Sequence, residues 1–88
     1  MNTEPDRAEF SVWLFFKDGY HIAEQRWLKA EAAVTLAREV TLRPAAQAGL
    51  IERIIITDGG DNTVFEWKHG QGVTFPPPPN ETTHNRNP

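Results

Sequence analysis

The sequence predicts an α+β fold with two layers in ββαββ order: a four-stranded antiparallel sheet with one main helix on one face. Three patterns support this prediction. A short run rich in aromatic and β-branched residues, Phe10 to Phe16, precedes the hairpin signal Asp18-Gly19, after which the chain returns as a second strand. A stripe of alanines and valines with helical spacing follows between Ala30 and Thr41. Two further strand-like runs then surround the pair Gly59-Gly60.

The length of 88 residues allows one domain. We expect a flexible N-terminal arm over residues 1–9, a single α/β domain over 10–75 and a proline-rich disordered tail over 76–88. The chain has no cysteine, and its three histidines lack the close spacing of zinc ligands. The sequence therefore predicts no metal site and no cofactor, and it leaves packing or self-association as the source of stability.

The first hairpin is predicted to join strands over Phe10–Phe16 and Tyr20–Leu28. A two-residue turn at Asp18-Gly19 pairs Phe16 with His21, Leu14 with Ala23, Val12 with Gln25 and Phe10 with Trp27, and this face is the predicted core. The opposite face then has Phe15 beside Ile22, Trp13 beside Glu24 and Ser11 beside Arg26. A three-residue loop would shift the register by one residue. We favour the shorter turn, because the shift would bring Glu24 and Arg26 into the core.

The middle of the chain changes period from two to about 3.6. Ala30, Ala33, Val34, Ala37, Val40 and Thr41 form one stripe of a helix. The helix should end at Arg43, because a residue before proline avoids the α region. Pro44 to Gly49 fits one further helical turn.

Two more strands follow. Leu50–Thr57 is apolar on both alternations, which is typical of an interior strand, and Thr63–His69 alternates regularly. Placing the two apolar strands in the middle gives the order 2-1-3-4. The acidic stretch Asp58 to Asn62, between the third and fourth strands, lacks the distal glutamate of a calcium loop. It is therefore predicted to be a turn in which the two glycines supply positive φ.

The run RIIITDGGDNTVFEWKHGQGVTFP, preceded by EAAVTLARE, resembles a group of small uncharacterised bacterial proteins. The resemblance covers roughly residues 10–76. It implies no activity, ligand or partner.

Charge and composition narrow the functional classes. The formal net charge of −3 does not match the basic surface of a duplex-DNA binder. The chain has no apolar run long enough for a membrane span, and we expect a cytoplasmic protein. The only serine, Ser11, lies in a strand, and the acids fall in turns or on exposed faces, so the sequence predicts no enzyme and no catalytic residue.

The surplus of large aromatic residues is the main functional signal. One helix covers one sheet face, which leaves an aromatic group on the other face, with basic residues at its rim; the predicted partner-binding residues are Trp13, Phe15, Tyr20, Ile22, Arg26 and Arg53. Such a patch is typical of a protein interface. Val73 to Pro79 folding back over the patch is an alternative.

The patch predicts a non-enzymatic protein-binding or regulatory module that self-associates, with a homodimer as the expected form. The alternative function is single-stranded nucleic-acid binding, in which aromatic rings stack on bases.

Overall fold

The computed structural model describes residues 7–77. The predicted N-terminal arm up to residue 6 and the tail from residue 78 lie outside the described residues. The elements are β1 (Phe10–Phe16), β2 (His21–Leu28), α1 (Ala30–Thr41), α2 (Pro44–Gln47), β3 (Ile51–Thr57), β4 (Thr63–Lys68) and β5 (Gly72–Phe75).

The strands of residues 7–77 form an antiparallel sheet in the order β2-β1-β3-β4-β5. The predicted order of the first four strands is confirmed. The prediction of four strands is wrong, because the chain turns after β4 and adds β5 at the edge. Gly70 and Gly72, with φ of 83° and 78°, allow this tight return. β5 has only four residues and precedes Pro76, so its sequence resembles a loop.

The core lies between α1 and one face of the sheet, as the helical stripe predicts. Ala33, Ala37 and Val40 of α1 are buried against the sheet, where the buried residues include Val12, Leu14, Ile54 and Ile56. The two alanines let the helix axis approach the strands closely. Phe10, Phe16, Phe65 and Trp67 pack around this centre and remain half-buried.

The two helices meet at the break that the sequence predicts. Arg43 is extended, with φ of −70° and ψ of 149°, because the proline ring of Pro44 excludes the helical region for the preceding residue. Pro44 then begins α2, which places Ala46 in the core.

The hairpin between β1 and β2 has a three-residue loop, so the predicted two-residue turn is wrong. Gly19 N–H donates to the carbonyl of Phe16 at 2.9 Å, and Phe16 N–H donates to the carbonyl of Tyr20 at 2.7 Å. Gly19 takes a φ of 93°, the left-handed conformation that such a loop requires. As a result, His21 stands opposite Phe15, one residue from its predicted partner.

The slip turns Ile22 to the helix side of the sheet, where it stands opposite Leu14 and packs against the core. The expected cost of that register was the burial of charged residues further along β2. An extra residue in β2 at Glu24 ends the shift. From there Val12 pairs with Gln25, as predicted, so Arg26 is not buried in the core. Glu24 reaches Arg43 instead, in an ion pair of 3.0 Å.

A second register shift lies near the end of β2. Val12 pairs with Gln25 and Phe10 pairs with Leu28, so Arg26 and Trp27 together stand opposite Ser11. Two residues opposite one define a β-bulge. The predicted pairing of Phe10 with Trp27 in the core is therefore wrong, and Leu28 takes that place.

The stretch between β3 and β4 is a turn held by its own side chains. The Oδ1 atom of Asp58 accepts from the N–H groups of Gly60 and Asn62 at 2.9 and 3.0 Å. These two hydrogen bonds lower the pKa of the Asp58 carboxyl, and the bond from Asn62 has the larger effect. The positive φ falls on Asp61, at 64°, and not on the glycines.

Gly59 serves a different purpose from the predicted one. A Cβ atom there would stand 2.7 Å from the carboxylate of Glu9, which accepts the Gly59 N–H at 3.1 Å. The glycine therefore gives room for a carboxylate that ties the start of the chain to this turn.

The one-sided core predicts unequal effects at two adjacent isoleucines of β3. Ile54 is fully buried under the helix layer, whereas Ile55 is half-buried on the other face. We expect Ile54→Ala to lower the free energy of unfolding by about 2–5 kcal/mol, because it leaves a cavity. The matched change Ile55→Ala should cost clearly less. Urea unfolding followed by fluorescence measures both, and an equal or larger loss at Ile55 would contradict the assignment of the core face.

Candidate functional site

The sheet face opposite α1 has no covering layer among residues 7–77, and we call it the open face. Trp13 and Phe15 point to it from the central part of the sheet, alternating with the buried Val12 and Leu14. Ser11 of β1 lies on the same face, and the neighbouring strands add His21, Arg26, Arg53, Ile55, Thr57, Glu66, Lys68 and Thr74. This face combines aromatic, cationic and hydroxyl groups.

Phe15 is the centre of one half of the open face. The Arg53 guanidinium lies 4.3 Å from the centroid of its ring, and the His21 ring stacks on it with centroids 5.1 Å apart and planes inclined by 20°. Arg53 also donates to Glu66 at 3.0 Å. The charge of Arg53 is thus paired, and the ring of Phe15 is partly covered.

Glu66 links this half to the edge of the sheet. Its Oε1 atom accepts from the Thr74 hydroxyl at 2.8 Å, while Oε2 accepts from Arg53. The Thr74 hydrogen bond, followed by the Arg53 bond and the charges of Lys68 and Arg53, lowers the pKa of Glu66 against the opposing effect of burial. The carboxylate therefore stays ionised and holds β3, β4 and β5 together on this face.

Trp13 is the centre of the other half. Its indole N–H donates to the Thr57 hydroxyl at 3.0 Å, which fixes the ring across two strands. The Arg26 guanidinium carbon lies 5.3 Å from the Trp13 ring and 4.9 Å from the Trp27 ring. The Nε atom of Arg26 donates to Ser11 Oγ at 3.4 Å. We call the group Trp13, Arg26 and Trp27 the arginine stack.

The bulge in β2 creates the arginine stack. It brings Arg26 and Trp27 side by side opposite Ser11, and Trp27 adopts a φ of 61°. A bulky side chain in this left-handed region costs about 1–3 kcal/mol of backbone strain. Trp27 nevertheless stays 63% exposed, so the strain is not offset by burial in the core.

The six predicted partner-binding residues divide between two surfaces. Trp13, Phe15, Arg26 and Arg53 lie together on the open face. Ile22 and Tyr20 do not: the three-residue loop places Ile22 on the helix side, and the Tyr20 ring lies 6.2 Å from that of Phe16 at the same edge.

Tyr20 and Ile22 instead line an apolar groove beside α2, which we call the edge groove. Its walls are Phe16, Tyr20, Ile22, Ala45 and Leu50, with Lys17 and Asp18 at the rim, and its volume is about 750 Å³. Tyr20 and Leu50 are 64% and 54% exposed. The groove is thus a second apolar surface, separate from the open face.

The C-terminal segment does not cover the open face within the described residues. Gly72–Phe75 extends the sheet as β5. Pro76 and Pro77 lie with Phe65 and Trp67 on the helix side, around a recess of about 730 Å³. The alternative that Val73 to Pro79 folds over the aromatic patch is therefore wrong as far as Pro77, and Pro78 and Pro79 lie outside the described residues.

Sequence reasoning missed Trp27 and His21 as members of this surface, and it did not name Glu66 and Lys68 among the partner-binding residues. Strict alternation along β2 places Trp27 and His21 on the other face, because it takes no account of the loop length and the bulges. Lys68 stands opposite Arg53 in β3 and joins the open face, whereas the predicted acidic neighbour Glu24 leaves it. The open face therefore has three cationic side chains, Arg26, Arg53 and Lys68, and its carboxylate among the described residues is Glu66 in place of Glu24.

Two further features concern residues 7–77. No three His, Asp or Glu side chains lie close enough to hold a metal ion, and neither helix is long and apolar enough to cross a membrane. No protein-family model, curated protein or solved structure matches this chain. The geometry of the open face is therefore the basis for assigning a function.

The lowered pKa of Glu66 predicts a specific acid dependence of stability. A carboxyl whose pKa is lower in the folded than in the unfolded protein stabilises the fold fully above its usual value of about 4.5, and this stabilisation is lost as the pH falls through the folded pKa. We expect Glu66→Gln to lower the free energy of unfolding at pH 7 by about 1 kcal/mol and to weaken its decrease toward pH 3.

Urea unfolding at several pH values measures this difference. Asp58 titrates in both proteins, so its contribution cancels in the comparison. The exposed Glu52 of β3 provides a matched control as Glu52→Gln. A Glu66→Gln variant with the same pH profile as the wild type would show that the hydrogen bonds from Thr74 and Arg53 contribute nothing.

Proposed function

We propose that this chain is a small non-enzymatic protein-binding or regulatory module that contacts its partner through the open face. The arginine stack and the Phe15–Arg53 pair support the proposal most directly. They place two tryptophans, a phenylalanine and two arginines on one uncovered sheet face. Tryptophan and arginine are enriched among the residues that carry most of the energy of protein interfaces.

The rigidity of the face supports the same proposal. Trp13 is held by Thr57, and Arg53 is held by Glu66. Side chains that are ordered before binding lose less conformational entropy when a partner covers them. The open face is thus prepared for contact in the free protein.

Self-association through the open face is the first form of the proposal to test. A second copy would cover the aromatic groups and compensate for a core that a chain of this size keeps small. The edge groove offers a competing apolar contact, so the experiment has to separate the two surfaces.

Sedimentation equilibrium of the wild type, Trp13→Ser and Tyr20→Ser in low and high salt separates them. We expect a salt-resistant dimer that Trp13→Ser weakens by about thirty-fold or more in Kd, because truncating an interface tryptophan costs about 2 kcal/mol or more. Tyr20→Ser should leave the dimer intact. Loss of the dimer in Tyr20→Ser alone would move the interface to the edge groove, and a monomeric wild type would reject self-association.

Single-stranded nucleic-acid binding is the second candidate. The observation that favours it is that Lys68 lies with Arg26 and Arg53 on the open face, which puts three cationic side chains beside the aromatic rings. Fluorescence anisotropy with a labelled oligo-dT tests it. Tight binding whose log Kd changes strongly with log salt, and which is lost in Trp13→Ser, would replace the protein-binding proposal.

A further inference from the structure

Arg26 is a cation without an anionic partner among residues 7–77. The chain pairs Arg53 with Glu66 and Arg43 with Glu24, but no described carboxylate reaches Arg26. Only its Nε atom makes a hydrogen bond, to Ser11, at the long distance of 3.4 Å. The two terminal nitrogens, which form the fork that matches a carboxylate, have no protein acceptor in this part of the chain.

The surroundings of Arg26 hold the guanidinium in place. Its central carbon lies 5.3 Å from the ring centroid of Trp13 and 4.9 Å from that of Trp27. One of these rings is fixed by Thr57, and the other occupies the strained bulge position. Trp27 thus has both a strained backbone and an exposed side chain, and together these orient the guanidinium of Arg26.

An oriented guanidinium suits a carboxylate group. Arginine binds carboxylates through two parallel N–H donors, and a side chain already fixed by stacking loses little further freedom on binding. The indole rings also supply an apolar border, and a partner that covers them would exclude water from the contact, which strengthens a charge-assisted hydrogen bond.

The charge of the whole face points to an acidic partner. Among residues 7–77, the face has Arg26, Arg53 and Lys68 against the single carboxylate of Glu66, on a chain whose formal net charge is −3. A positive patch on an acidic protein selects an acidic partner surface. The cations of this patch repel those of a second copy, so the acidic segment belongs to a different protein, which would compete with self-association for this face.

A polypeptide fits the patch better than a nucleic acid. Single-strand binders present free ring faces along a continuous basic groove. Here guanidinium groups already cover Trp13 and Phe15, and the charge of Arg53 is paired.

We propose that the arginine stack is an anchor site for a carboxylate of an acidic segment in the protein partner, with Arg26 as the residue that binds it. This inference rests on the proposed function, and it names the chemistry of the partner. Trp13 and Trp27 act as positioning residues that orient the guanidinium.

The test uses NMR of the full chain, because the tryptophan indole N–H signals report on each surface separately. The probe is a hepta-glutamate peptide, with hepta-glutamine of the same length as the uncharged control. Signals of Trp13, Trp27 and the Arg26 Nε–H should shift and saturate with the glutamate peptide only. Trp67, on the helix side, is the internal control and should not shift.

Matched variants separate a specific anchor from general attraction. Arg26→Lys keeps the charge but loses the planar fork, and we expect it to raise Kd at least about ten-fold. Lys68→Gln removes a charge from the same face and should raise Kd less than about three-fold. Amide spectra and urea unfolding verify that each variant is folded.

Three results would overturn the inference. Equal affinity of Arg26→Lys and the wild type, with shifts still on the open face, would show general attraction to the face and leave the proposed function standing. Tighter, Arg26-dependent binding of oligo-dT would replace the acidic segment with a nucleic acid. Absence of shifts with hepta-glutamate would reject the anchor, while the proposed function would then be judged by the sedimentation experiment alone.

Discussion

The packing of one short helical layer on one face of the sheet is the constraint on which the rest of the structure depends. The alanines of α1 bring the helix close to Val12, Leu14, Ile54 and Ile56, and this contact forms the core. No second layer covers the other face among residues 7–77. Its large side chains are therefore ordered by contacts within the sheet: guanidinium groups over rings, an indole N–H on a threonine, and a carboxylate shared by Arg53 and Thr74.

The sequence predicted most of the elements because each has a strong local cause. The alanine stripe predicted α1, and the Arg43-Pro44 pair predicted its separation from α2, although α1 ends at Thr41, two residues before Arg43. The apolar run before Thr57 identified an interior strand. The order of the first four strands followed from which runs were apolar on both alternations. β5 was missed because four residues before a proline carry too little pattern to separate a strand from a loop.

The site was harder to predict because it depends on single-residue shifts. One extra residue in the hairpin loop reversed the side of Ile22, and the bulge at Arg26 brought Trp27 out of the predicted core. Alternation places residues correctly only while the two strands stay in step. Trp13, Phe15 and Arg53 were placed on the correct face because β1 keeps step with β3 there. No local signal in the sequence marks the two bulges of β2.

Those bulges have a consequence for how the sheet ends. β2 forms one edge of the sheet, and a regular edge offers a row of free backbone groups on which another chain can grow as a further strand. Two register shifts within eight residues, with charged Glu24 and Arg26 beside them, interrupt that row. The distortion that displays the arginine stack therefore also makes this edge a poor template for a further strand.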